Sequence, residues 1–270
     1  METILVDNKN IQDVFDQMLS APFQHRTTRV LCLSARSGKG KSTLVSYFSE
    51  RCEELSVLPI RLDFDAFHIT DELELIDIII NQITTLSNIS SAFSKYEESI
   101  KSLALSSVGD TVIQNVNLRQ TQIGTIHIQK GGEGANAQLI LIEKAFLHDL
   151  RDAARTVGRI VILLDAFEQA ATNIQEWVQK KLILSRVFGP EILIVVAGQE
   201  ELRFSRTNQS TYGIRAFHLP DEYSFEDWLE YGRQLKINDT NIIKNCFNCW
   251  NGDPFYMCVS LKPFANKGDI

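Results

Sequence analysis

Five short apolar runs, separated by segments in which apolar residues keep a helical spacing, dominate the pattern along the chain. Runs of this length between polar turns predict buried β-strands, here at 30–33, 59–64, 159–164, 192–197 and 214–219. Between them, apolar residues recur every three or four positions, which predicts amphipathic helices at 10–20, 71–86, 138–153 and 173–187. Strands that alternate with helices favour an α/β fold built on a parallel sheet.

The region from about 87 to 136 breaks this alternation. It is rich in serine up to 107, with a weakly helical stretch near 96–105. Apolar and polar residues then alternate over 112–118 and 122–128, which predicts two short strands of a β-hairpin. We expect an insertion into the core, which either docks a partner along its edge or simply folds onto the core.

Composition narrows the possible partners and the compartment. The chain has 27 Lys and Arg against 34 Asp and Glu, a net charge of −7, which makes nucleic acid or an anionic membrane an unfavourable partner. No apolar run approaches ~18 residues and the first residues lack a basic segment, so we expect a soluble, cytoplasmic protein. The five cysteines are scattered, which indicates reduced thiols, and Cys246 and Cys249 are expected to pack in a helix rather than bind a metal.

The stretch 35–43, Ala-Arg-Ser-Gly-Lys-Gly-Lys-Ser-Thr, lies between the first strand and an apolar helix. A strand, a glycine-bearing loop and a helix form the context of a phosphate-binding loop. Gly38 and Gly40 allow a tight backbone whose N–H groups point at phosphate oxygens, and the helix start adds its positive end. The alternative is a surface loop, rich in glycine, serine and lysine, that binds nothing.

Within this loop the residue types suggest separate roles. Lys41, expected to be exposed, would contact the β- and γ-phosphates and act in catalysis, and Ser42 would bind Mg²⁺. The first glycine of the usual pattern is replaced by Ala35, which is small enough to keep the turn feasible. The candidate nucleotide-binding residues here are Ala35, Ser37, Gly38, Lys39, Gly40, Lys41, Ser42 and Thr43.

Polar side chains also follow the third and fourth predicted strands. Ligands of α/β sheets lie beyond the carboxyl ends of the strands, so Asp165 is expected to bind Mg²⁺. Glu168, three residues later, would polarise an attacking water; its alternative is a surface glutamate at a helix start. Gln199, after the fourth strand, either reaches the γ-phosphate region or is an ordinary amide at a strand end.

The tail, 224–268, is predicted to be helical. Ser224 is expected to cap one helix, a second begins near 238–241, and the turn at 251–253 leads into a third. Three short helices after the last strand predict a small helical lid behind the nucleotide.

These motifs together resemble those of the STAND-class P-loop ATPases, the signalling group that includes NACHT and NB-ARC domains. The resemblance covers nearly the whole chain outside the insertion. It rests on 35–43, 62–64, 164–168, 197–199 and 252–254, of which the last is similar to the family's Gly-x-Pro element. It implies an ATP/ADP switch in which Pro254 contacts the nucleotide from the lid. Gln199 departs from the arginine that the family often has at this place.

The sequence therefore predicts a P-loop NTPase of the α/β class with a parallel five-stranded sheet in the order 5-1-4-3-2. Residues 1–220 would form the core, with the β-hairpin insertion at about 87–136, and residues 221–270 the helical lid. We expect ATP or ADP and Mg²⁺ as cofactors, weak ATPase activity, effector or sensor chains as protein partners and a nucleotide-dependent homo-oligomer.

Two other functions stay open. One is a regulatory scaffold that binds ATP without hydrolysis and works through partner chains. The other is an AAA+ loader or transposition helper associated with DNA, against which the net charge of −7 argues.

Overall fold

The computed structural model describes residues 8–21, 28–87, 89, 92–106 and 133–265. Its strands are β1 (Val30–Ser34), β2 (Leu58–Asp63), β3 (Ile160–Asp165), β4 (Ile192–Gly198) and β5 (Ile214–His218). Its α-helices are α1 (Lys9–Ser20), α2 (Lys41–Glu54), α3 (Glu72–Ser87), α4 (Ser94–Ser106), α5 (Glu133–Val157), α6 (Thr172–Trp177), α7 (Arg206–Tyr212), α8 (Phe225–Gln234), α9 (Thr240–Trp250) and α10 (Pro254–Leu261). A 3₁₀ turn (Phe167–Gln169) follows β3, and a π-helical segment (Val178–Ile183) continues α6.

The five strands form one parallel sheet in the order β2-β3-β4-β1-β5. This is the predicted order 5-1-4-3-2 read from the opposite edge, so the prediction is confirmed. Ser34 of β1 pairs with Gly198 of β4, and Asp63 of β2 pairs with Asp165 of β3. The carboxyl ends of the strands therefore meet at one edge, where the loop from β1 to α2 also lies. This is the α/β P-loop fold.

Alternate strand residues face two helical layers, as expected for a sheet that is buried on both sides. Leu31, Leu33 and Leu163 pack with α1 and α2 on one face. Ile162 and Leu164 pack with α3, α4, α5 and α6 on the other face. The two layers hold the carboxyl edge of the sheet in a fixed shape.

Parts of the region predicted as an insertion, 87–136, belong to this core. α4 lies inside it, and α5 begins at Glu133, before the predicted start of that helix near 138. Phe93, Tyr96 and Ile100 are buried in the same apolar cluster as α3 and α5. Within α4, Tyr96 and Ile100 are the buried apolar side chains among those that the structure describes, 94–102, and the residues around them are mostly polar. This is why the composition of the stretch resembled that of a loop. The predicted hairpin, 112–118 and 122–128, lies outside the described residues.

A buried carboxyl group links α4 to α3 and gives the first prediction. Asp77 accepts a hydrogen bond from the Tyr96 hydroxyl at 2.8 Å, and burial, which outweighs this bond, raises the pKa of Asp77 to about 6. The folded state thus holds the proton more tightly than the unfolded chain, so stability falls as the pH rises from the ordinary value of 3.8 to about 6.

Asp77→Asn keeps an acceptor for Tyr96 but carries no charge. It is expected to raise the free energy of unfolding at pH 7 by up to ~3 kcal/mol and to change it little at pH 4. Urea unfolding at both pH values measures this difference. Lower stability of the variant at pH 7 would contradict the prediction.

The last three helices, which we call the C-terminal helical unit (α8–α10), pack around an apolar cluster of their own. Trp228, Ile243 and Met257 are buried within it. α8 and α9 approach closely at Gly232, where an added Cβ would lie 2.2 Å from the Ile243 side chain. Ser224 caps α8, as predicted, within a complete capping box. None of the helices in the described part of the chain is long and apolar enough to cross a membrane.

Candidate functional site

The loop between β1 and α2 turns on two glycines with left-handed backbones. The φ angle is 77° at Gly38 and 88° at Gly40, and these values strain any residue with a side chain. Gly40 is also the N-cap of α2, which begins at Lys41. The positive N-terminal end of a fourteen-residue helix therefore opens directly onto the loop.

Lys41 lies inside this loop and is not exposed. Only 8% of the residue is accessible, and its Nζ donates hydrogen bonds to the carbonyl oxygens of Ala35 (2.6 Å) and Arg36 (2.8 Å). Burial lowers the pKa of Lys41, while Glu168 and Asp165 oppose this shift. The expectation of an exposed lysine is wrong because the loop folds around the side chain at the start of the helix.

Asp165, at the end of β3, lies beside the first turn of α2. It is 1% exposed, and its Oδ1 accepts hydrogen bonds from Ser42 Oγ (3.1 Å) and from the Ala166 N–H (3.0 Å). Burial raises the pKa of Asp165 despite these bonds and despite the nearby charge of Arg61. Arg61 of β2 completes the group, with Nη2 3.4 Å from Asp165 Oδ2.

Glu168, in the 3₁₀ turn after β3, is tied to the end of β4. Its Oε2 accepts a hydrogen bond from the Gln199 N–H at 3.0 Å. Gly198 leaves room for this contact, since an added Cβ would lie 3.3 Å from the same oxygen. The backbone of Gln199 thus holds Glu168, whereas the Gln199 residue as a whole is exposed.

A third contact joins the loop to the C-terminal helical unit. Lys39 Nζ lies 2.6 Å from Asp253 Oδ2 and donates to the Asp221 carbonyl oxygen at 2.8 Å. Asp253 also caps α10 by accepting from the N–H groups of Phe255 and Tyr256. Burial alone would raise the pKa of Asp253, but the bonds from Lys39 and from the two N–H groups outweigh it and lower the pKa.

Phe255 covers the loop from the side of α10. A Cβ added at Gly38 would lie 3.3 Å from the Phe255 Cβ, so the two backbones come close together. Between the loop and α10 lies a cavity of about 370 Å³. Its lining includes Ser37, Gly38, Gly40, Lys41, Ser42, Thr43, Asp65, Asp165, Glu168, Gln199, Pro254, Phe255 and Cys258.

The structure therefore brings nearly all the predicted site residues to one cavity. Ala35 is buried behind it and contributes its carbonyl oxygen to Lys41, and Lys39 turns to Asp253. Two residues of the site, Arg61 and Phe255, were not among those predicted from the sequence. Strand alternation offers a signal for Arg61. Arg61 pairs with Leu163 of β3, and Leu163 lies two residues before Asp165, so the three side chains project from the same face of the sheet.

The groups that line this cavity suit a phosphate bound together with a divalent cation. A glycine-turned loop, a helix N-terminus and a lysine suit phosphate oxygens, and a hydroxyl beside a carboxylate suits Mg²⁺, which is bound with phosphates and water rather than by a protein cage. Among the described residues, no group of three or more His, Cys, Asp or Glu side chains is placed to hold a metal ion. Cys246 is half-buried and Cys249 exposed, so the packing predicted for this pair applies to the first cysteine alone.

A larger cavity, of about 860 Å³, lies on the other side of Glu168. β1 and β4 contribute Ser34 and Val196 to it, and Gln175, Glu201 and Arg203 also line it. Glu168 borders both cavities, so its carboxylate is accessible from a second direction.

Comparisons with known proteins give only distant similarities. No family model matches the chain, and a search of curated proteins finds no match. Among solved structures, Cdc6p from Pyrobaculum aerophilum is 12% identical over 85% of this chain and 50% of its own, with a TM-score of 0.43. ORC2 from Aeropyrum pernix (ADPNP–ADP complexes) is 14% identical over 95% and 61%, with a TM-score of 0.47. The RuvB Holliday junction branch migration motor from Thermotoga maritima is 10% identical over 96% and 70%, with a TM-score of 0.38.

The chain thus spans half the length of Cdc6p and less than two thirds of ORC2. These TM-scores and identities are too low to assign a function or a subclass. The assignment of the P-loop fold therefore rests on the strand order and on the geometry of the loop before α2.

Proposed function

We propose that this chain binds ATP with Mg²⁺ at the loop 35–43 and acts as a slowly hydrolysing ATP/ADP switch of the STAND type. The observation that carries this proposal is the ion pair between Lys39 and Asp253, at 2.6 Å. This ion pair connects the loop 35–43 directly to Asp253, the residue that immediately precedes α10. Nucleotide in the loop and the position of the C-terminal helical unit would therefore depend on each other.

Each part of the site receives a role under this proposal. Lys41 would bind the β- and γ-phosphate oxygens, and Ser42 with Asp165 would hold Mg²⁺. Bound Mg²⁺ would supply positive charge that stabilises the transferred phosphoryl group. Glu168 would orient a water and accept its proton, and Pro254 would contact the nucleotide from α10.

The proposal extends to the organisation of the chain. Residues 1–220 would form the nucleotide-binding core, with an inserted hairpin within 87–136, and residues 221–270 the lid. Effector or sensor chains and further copies of the chain would be its protein partners in the cytoplasm. Calorimetric titration with ATP and ADP, followed by size-exclusion chromatography with each nucleotide, tests the proposal. Absence of binding, or identical elution in both states, would overturn it.

Asp253→Asn is expected to accelerate ADP dissociation about tenfold. Asparagine caps a helix as well as aspartate does, so α10 should persist while the ion pair to Lys39 is lost. Stopped-flow displacement of a fluorescent ADP analogue measures the rate.

Asp239→Asn is the matched control, because Asp239 caps α9 in the same manner. It should leave the rate unchanged. Equal ADP dissociation rates for the two variants would exclude the C-terminal helical unit from the switch.

A further inference from the structure

Arg61 reaches from the edge strand β2 to the buried carboxylate at the end of β3. Its Nη2 lies 3.4 Å from Asp165 Oδ2, and its Nη1 donates to Ser46 Oγ at 3.0 Å. Ser46 is one helical turn beyond Ser42 on α2, so the guanidinium bridges β2, α2 and β3. The two oxygens of Asp165 thus have different neighbours: Oδ1 faces Ser42 and the Ala166 N–H, and Oδ2 faces Arg61.

The backbone of Arg61 is fixed from outside the sheet. Its N–H donates to Gln82 Oε1 at 3.0 Å, and its carbonyl oxygen accepts from Gln82 Nε2 at 2.8 Å. The Gln82 amide of α3 therefore takes the place of a neighbouring strand at this edge. This anchoring and the bond to Ser46 hold the positive charge near Asp165, although the side chain is 39% exposed.

We propose that Arg61 partly neutralises the Asp165 carboxylate and thereby competes with Mg²⁺ for its negative charge. The inference rests on the proposed function, in which Asp165 and Ser42 bind the cation. A fixed guanidinium beside the far oxygen lowers the attraction of the carboxylate for a second cation. Arg61 would thereby keep Mg²⁺, and the nucleotide bound with it, exchangeable.

Removal of Arg61 could lower the Mg²⁺ affinity by freeing the Asp165 side chain, or raise it by removing a positive charge next to the cation. The contacts of Asp165 favour the second effect. Asp165 would lose one partner on Oδ2 but keep both donors on Oδ1, so its orientation toward Ser42 persists. The repulsion of the cation would disappear. We therefore expect tighter Mg²⁺ binding, which the loss of a merely structural residue would not produce.

The experiment uses the full chain and measures ADP affinity by calorimetry in EDTA and over a series of Mg²⁺ concentrations. Arg61→Gln should lower the half-saturating Mg²⁺ concentration about fivefold to tenfold and leave ADP affinity in EDTA within about twofold of wild type. Arg61→Lys, which keeps the charge, should stay within about twofold of wild type in both measurements.

Two further variants complete the test. Ser46→Ala removes the acceptor that anchors Nη1, together with the hydrogen bond that Ser46 Oγ donates to the Ser42 carbonyl oxygen at 2.9 Å. It should shift the Mg²⁺ requirement in the same direction by about twofold, even if Arg61→Gln failed to fold.

Arg51→Gln is the control: Arg51 lies on α2, like Ser46, but pairs with Asp16 and Glu54. This variant should leave the Mg²⁺ requirement and the ADP affinity unchanged. An unchanged or higher Mg²⁺ requirement in Arg61→Gln and Ser46→Ala would overturn this inference alone. Lack of nucleotide binding by the wild type would overturn the proposed function and this inference with it.

Discussion

Lys41→Ala is expected to weaken ATP and ADP binding by ~100-fold or more, beyond the range of ordinary calorimetry. The Lys41 ammonium lies within the loop, next to the carbonyl oxygens of Ala35 and Arg36, where it would also meet phosphate oxygens. A charged hydrogen bond in a site shielded from water contributes ~1.5–3 kcal/mol, and the charge of the phosphates adds to this. Calorimetric titration with each nucleotide measures the loss.

Because Lys41 is buried, its replacement also removes packing, and a control must separate the two effects. Lys41→Met keeps most of the side-chain volume and removes the charge and its donors to the carbonyl oxygens of Ala35 and Arg36, so it should be better folded than Lys41→Ala and bind nucleotide equally poorly. Lys101→Ala, on α4, removes a surface lysine paired with Glu97 and should bind like wild type. Nucleotide affinity close to wild type in Lys41→Met would mean that the loop 35–43 does not bind phosphate.

Glu168→Gln is expected to reduce ATP hydrolysis in a single turnover by ~10²–10⁴-fold while ATP affinity changes less than about threefold. Glutamine keeps the size of Glu168 and an oxygen that can accept the Gln199 N–H, which in the wild type lies 3.0 Å away. Only the capacity to accept a proton from water is lost. Rapid-quench assays at saturating Mg²⁺ and ATP compare the variant with the wild type, whose own turnover should be well below about one per second.

A structural role for Glu168 and the alternative function as a regulatory scaffold predict different results in the same assay. Equal hydrolysis rates in wild type and variant would make Glu168 a structural link between β3 and β4. Binding without hydrolysis in both proteins would favour the regulatory scaffold. Glu176→Gln is the matched control, since Glu176 is a surface glutamate of α6 that pairs with Lys180, and it should hydrolyse ATP at the wild-type rate.

Several features of this protein could be predicted from the sequence because their causes are local. An apolar run such as 192–197 specifies a strand covered on both faces, and Gly38 and Gly40 specify a tight turn before a helix. The cap at Ser224 depends on residues within one helical turn. The resemblance of these motifs to a known family then supplied the strand order, which the sheet confirms.

The remaining features depend on contacts between distant parts of the chain. Arg61 meets Asp165 across 104 positions, and Lys39 meets Asp253 across 214, so no local pattern marks either pair. Tyr96 and Ile100 join α4 to the core by packing in the same apolar cluster as α3 and α5. Packing of the loop around its own helix buries Lys41, which sequence alone placed at the surface. The sequence thus determined the elements and the chemistry of the loop, whereas the tertiary structure decided which charges face one another, because pairing depends on distances that only packing sets.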